Sequence, residues 1–135
     1  LSGKYGIPQL GAYAASKHAL HGFFESLRAE QETEDIRVTI VIPGLVKTNI
    51  SLNALKGDGT KYGKMLESLA NGISADECAL GIIQAVSGRK NEALIGGSEI
   101  YSVWVKRFFP GLFSYLIRKH PIKRLRGIGF FGKNP

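Results

Sequence analysis

One cysteine in 135 residues, Cys78, excludes an intrachain disulfide and a multi-thiolate metal cluster. The fold must therefore rest on a hydrophobic core, and a reducing compartment suits the chain. Five prolines and 17 glycines are too few for a collagen-like or low-complexity protein. No charged segment followed by an apolar stretch opens the chain, so no signal peptide is read, and a first residue that is Leu rather than Met leaves room for an upstream segment. Long apolar runs are also missing. The densest, residues 108–117, is interrupted by Pro110-Gly111, whereas spanning a bilayer takes about 20 residues. Acidic residues are absent from 101–135, which hold 8 of the 18 basic side chains, while residues 1–100 carry 10 basic against 11 acidic. The formal charge of +7 is thus a property of one end. A near-neutral body without a basic recognition helix argues against a nucleic-acid binder, and a basic, aromatic end suggests contact with an anionic surface.

What is present reads as α/β. Residues 9–34 lack proline and repeat Tyr13, Leu20, Phe23, Phe24 and Leu27 at helical spacing. A second stripe, Ala15, Ala19, Gly22 and Ser26, is small enough for close approach of another backbone. Residues 36–42 are β-branched almost throughout and stop at Pro43-Gly44, the pattern of a buried parallel strand. Residues 45–72 read as a long loop with short helices near 50–55 and 62–70. Ser74 caps a helix over 75–87, residues 92–95 form a second strand, and two short helices kinked at Pro110-Gly111 follow. Gly57-Asp58-Gly59 reads as a turn.

Tyr13 and Lys17 stand four apart, so a helix puts both on one side and brings an ammonium near a phenol. A positive charge favours phenolate, the form that accepts a proton. The same spacing also arises from a core-edge tyrosine beside a solvated lysine, so the pair alone does not define a site. His18, His21 and His120 lack ligand partners at zinc spacing, and no metal site is assigned. Cys78 reads as a small core residue.

The string Gly3-Lys4-Tyr5-Gly6, then Ala12-Tyr13-Ala14-Ala15-Ser16-Lys17, then Pro43-Gly44-Leu45-Val46-Lys47-Thr48 resembles the short-chain dehydrogenase/reductase family over most of residues 1–97. The resemblance implies a Rossmann-type doubly wound parallel sheet, and a homo-oligomer whose subunits meet through the Ala15, Ala19, Gly22 and Ser26 stripe, as many members of the family do through the equivalent helix. Residues 1–97 would be the C-terminal part of its NAD(P)-binding domain, and 98–135 a basic, aromatic-rich helical extension. It implies hydride transfer between NAD or NADP and a small-molecule alcohol or carbonyl, lipid- or steroid-like where residues 98–127 match the extended C-termini of such relatives. Tyr13 would donate or accept the substrate proton. Lys17 would bind the nicotinamide ribose and favour the phenolate. Pro43, Gly44 and Val46 would line the nicotinamide, Thr48 would reach the cofactor's amide or phosphate side, and the loop beyond would be a substrate lid. The family's catalytic serine would fall immediately before Leu1, and Ser2 is out of register. The glycine-rich phosphate loop and the helix-borne asparagine would also lie upstream, so the isolated chain is expected to be inactive. A non-catalytic interaction module that keeps the helix is the alternative. The expected location is cytoplasmic, or peripheral on a membrane through residues 98–127.

Overall fold

A computed structural model describes residues 1–8, 10–31, 36–56 and 58–119. Gln9, residues 32–34 of the expected first helix, Gly57, His120 and the rest of the basic end lie outside the described residues.

The longest helix, α1 (Gly11–Glu30), closes with the Gln31 amide donating to the Leu27 carbonyl at 3.0 Å. In its last turn Arg28 donates from Nη2 to the Asn91 carbonyl at 2.8 Å and from Nε to Val38 at 3.2 Å. One guanidinium so fixes the approaches to both strands. These are β1 (Ile40–Pro43) and β2 (Glu92–Ile95), paired in parallel with Ile40 opposite Glu92 and Pro43 opposite Ile95.

The expected strand over 36–42 is corrected here. Only Ile40, Val41 and Ile42 of it join the ladder, and Pro43 extends it. A strand is as long as its partner allows. β2 begins at Glu92, and among the described residues no strand pairs with the other edge of β1, so residues 36–39 have nothing to bond to despite their β-branching.

The crossover from β1 to β2 runs through α2 (Ile50–Asn53), α3 (Glu67–Ala70) and α4 (Ala75–Ser87). α4 starts as expected. The Glu77 amide donates to Ser74 Oγ at 3.1 Å, and the Ser74 amide donates to the Glu77 carboxylate at 2.7 Å, a reciprocal cap that also holds that carboxyl below its ordinary value. Cys78 and Ala85 are buried, and Gly81 lets the helix press on β2: a Cβ there would lie 2.9 Å from Ile95 Cγ2. The Asp58 carboxylate takes both the Thr60 amide and hydroxyl, closing a turn at which Gly59 adopts φ +79°.

After β2 a 3₁₀ turn (Ser98–Tyr101) leads into α5 (Ser102–Phe108) and α6 (Pro110–Lys119). The break falls at Phe109. Pro110 opens α6 rather than kinking a helix, because at the first helical position its missing N–H costs nothing. The two helices are held to the start of the chain by the Tyr5 ring, 4.9 Å from that of Phe113, by the Tyr5 hydroxyl 2.8 Å from Ser102 Oγ, and by Lys106 Nζ donating to the Lys4 carbonyl at 2.5 Å.

This parallel β-α-β unit with flanking helices is part of a Rossmann-type α/β architecture. Its core is small. Tyr5, Ala14, Ile42, Cys78, Ala85 and Phe113 are buried, while Phe23, Ile83 and Trp104 are at least half exposed. The small-residue stripe of α1, Ala15, Ala19, Gly22 and Ser26, is likewise exposed.

Candidate active site

α1 passes beside the carboxyl end of β1, the end at which parallel α/β sheets take their ligands. Between them lies an open cleft of about 1130 Å³. Tyr13 and Lys17 face it from α1, and Pro43 and Gly44 close it at the end of the strand. The Lys17 ammonium sits 5.3 Å from the centroid of the Tyr13 ring, over its face. Tyr13 is 51% exposed, and its hydroxyl has no hydrogen-bond partner among the described residues. Four of the six residues expected at the site therefore meet.

Val46 and Thr48 do not line the cleft. Val46 forms an isolated parallel bridge with Ile73, reinforced by the Ile73 amide donating to Leu45 at 3.0 Å and the Lys47 amide to Ile73 at 2.8 Å. Thr48 is exposed beyond it. The loop is pinned close: a Cβ on Gly72 would lie 2.3 Å from the Leu45 carbonyl oxygen. From the expected lid, Leu66, Ser68 and Leu69 border the cleft, whereas α2 does not. Leu10, Val105, Phe113, Leu116 and Ile117 make much of the remaining wall, which is strongly apolar. Ser2 also borders it.

Sequence reasoning passed over Glu99. Its Oε1 accepts from the Leu45 amide at 2.7 Å and from the Gly97 amide at 3.1 Å, joining the loop after β1 to the loop after β2. A Cβ on Gly44 would lie 2.0 Å from this oxygen, so glycine makes room for the carboxylate. Burial raises the Glu99 carboxyl, but the backbone donors outweigh it and hold the group below its ordinary value. The available signal was an acid placed just after a strand-ending Gly96-Gly97.

Tyr5 is pushed the other way, upward, because burial outweighs its bond to Ser102. His21, also on the cleft, is held below its ordinary value by burial and then by the Lys4 ammonium. His21 does have carboxylate companions, one a helical turn on at Glu25 and one brought by the fold at Glu92: ligand atoms of the three lie within 4.8 Å of one another. The Glu92 carboxylate is engaged by Lys4 Nζ at 2.5 Å.

Residues 1–58 match the family described as short chain dehydrogenase. The chain is 42% identical to the protein named Dehydrogenase/reductase SDR family member 7B of Xenopus laevis, over 96% of this chain and 41% of that one. It is 37% identical to the Dehydrogenase/reductase SDR family protein 7-like of Drosophila melanogaster, over 91% of this chain and 38% of the relative. With the family member 7B of Bos taurus the identity is 42%, covering 87% and 36%. The chain thus spans about two fifths of the length of these curated relatives.

Proposed function

Because the chain belongs to the short-chain dehydrogenase/reductase family of oxidoreductases, we propose that it carries the proton-transfer side of an enzyme moving hydride between NAD or NADP and an alcohol or carbonyl compound. The observation that carries this reading is the unpaired Tyr13 hydroxyl and the Lys17 ammonium facing one cleft with Pro43 and Gly44. An open phenol O–H, an ammonium and the glycine-bearing end of a parallel strand suit the ribose and carboxamide end of a nicotinamide cofactor. Bound NAD or NADP would supply or take the hydride. Lys17 would hold the ribose hydroxyls and the Pro43-Gly44 backbone would hold the carboxamide, whereas Val46 and Thr48, which stand off the cleft, are given no part. Tyr13 would give its proton to the carbonyl oxygen in reduction and take the hydroxyl proton of the alcohol in oxidation. The apolar wall favours a substrate with a lipid- or steroid-like body over a short polar one.

The test is Tyr13→Phe in the full-length protein, which keeps the ring and removes the transferable proton. Turnover of an apolar ketone should fall at least about a hundredfold while the melting temperature stays nearly unchanged. Lys17→Met should raise the KM for the cofactor. Near-normal turnover by Tyr13→Phe would overturn the assignment, and faster reaction of a short polar ketone would overturn the substrate class.

A further inference from the structure

Large apolar side chains are exposed on three helical surfaces, and their charge company differs. On α1, Leu20 and Phe23 are accompanied by Glu25 and Glu30, and on α4, Leu80 and Ile83 by Asp76 and Glu77. On the α5–α6 hairpin Trp104, Phe108, Phe109 and Tyr115 are each at least half exposed, and the charged residues among them are all basic. No acid occurs from residue 101 onward. The Trp104 and Phe108 rings stack 6.1 Å apart and within 7° of parallel, a flat aromatic plate already assembled. The Lys119 ammonium lies 4.3 Å over the Tyr115 ring, so cation and aromatic meet on one surface.

We propose that the α5–α6 hairpin docks on an anionic lipid surface, with Trp104, Phe108 and Phe109 entering the headgroup boundary and Arg107, Arg118 and Lys119 meeting lipid phosphates. The choice of occupant rests on charge complementarity: this is the exposed apolar surface of the described residues that carries cations without acids. The hairpin lies on the bilayer rather than crossing it, since no helix of the described residues is long and apolar enough to span. The same two helices turn Val105, Phe113 and Ile117 into the cleft. Docking therefore sets the apolar wall of the cleft beside the lipid phase, where an apolar substrate is concentrated.

The experiment reads Trp104 itself, the single tryptophan of this chain, as the emission difference between the full-length protein and its Trp104→Phe variant. That difference isolates one indole whatever else binds the vesicle. With phosphatidylcholine vesicles containing about one third phosphatidylserine, the difference emission should move to shorter wavelength and be quenched by brominated acyl chains. Pure phosphatidylcholine should give neither. The exposed triple variant Arg107→Glu, Arg118→Glu, Lys119→Glu should raise the lipid concentration for half-maximal shift at least about tenfold. An emission indifferent to anionic vesicles would overturn the proposal, as would an equal response to neutral vesicles or from the charge-reversed variant. An indole already shielded from iodide without lipid would assign the hairpin to another part of the protein or a second copy instead.

Discussion

The Glu99 carboxylate accepts from two backbone amides, one of them 54 residues back in the chain, and so extends the link that the Gly44 amide and the Ile95 carbonyl make between the two strand ends. Glu99→Ala leaves the Leu45 and Gly97 donors without their acceptor and should cost about 1–2 kcal/mol by thermal or urea unfolding. Glu99→Gln keeps an acceptor oxygen in the same place and should cost clearly less. Because Leu45 follows Gly44 at the cleft, the proposed function predicts that Glu99→Ala in the full-length protein raises the KM for its nicotinamide cofactor several-fold with a smaller effect on kcat, and that Gln restores it. An equal loss in the two variants would mean that the negative charge, not the acceptor oxygen, is what Glu99 supplies, and no loss in either would remove its role. No periodicity announces such a residue, since its partners are set by the meeting of two strand ends. Tyr13 and Lys17, in contrast, were legible because one helical turn joins them, and their flanking residues narrowed the choice.

His21 of α1 lies against Gly3 and within 4.8 Å of the Glu92 carboxylate of β2, and its buried Nδ1 has no hydrogen-bond partner among the described residues. Burial and Lys4 hold the imidazole below its ordinary 6.5, His18 adds to this, and Glu92 and Glu25 oppose it only partly. Above that pH the folded and unfolded chains both carry neutral imidazole, and this contribution is intact. As the pH falls below 6.5, the unfolded chain takes up a proton that the folded one resists, and stability drops until the lowered value is passed. Glu77 and Glu99 lie below their ordinary 4.5 and Asp58 below 3.8, so their stabilisation is complete at neutral pH and is lost only under more acid conditions. Unfolding free energy measured against pH should fall in two windows, and His21→Leu should remove the upper one. An unchanged profile in that variant would place the upper step on another group. Elements differed in how plainly the sequence declared them. α4 carries its own start signal in Ser74 and Glu77 and was read correctly. β1 was read too long because β-branching reports preference, whereas the length of a ladder is decided by a partner far away in sequence. The two short helices expected on either side of Pro110-Gly111 are present, with the proline itself as the first residue of the second.

Across the whole molecule the apolar surface exceeds what these residues can cover. Ile42 of the two-stranded sheet is buried, yet Phe23, Ile36, Ile83 and Trp104 are at least half exposed. Parallel sheets are stable when both faces are clothed, so the 135-residue chain alone should melt broadly and show no NAD(P)H turnover. A sharp calorimetric transition together with measurable turnover would contradict this. The architecture was legible because helix, buried strand and glycine-ended loop follow one another locally. The smallness of the core was not, since a sequence states which residues are apolar and not how many neighbours they will find.

The outer edge of β1 is a row of backbone donors and acceptors that no strand meets among the described residues, framed by uncovered side chains. Such an edge behaves as a seam, and a seam can be closed by a polypeptide that is not covalently joined to it. Co-expressed as a separate chain with the three fifths of a relative that it does not cover, this protein should copurify with that piece and regain cofactor-dependent activity by complementation. The join should fail when a proline placed at Val41 removes a ladder donor, and an assembly indifferent to that proline would locate the seam elsewhere.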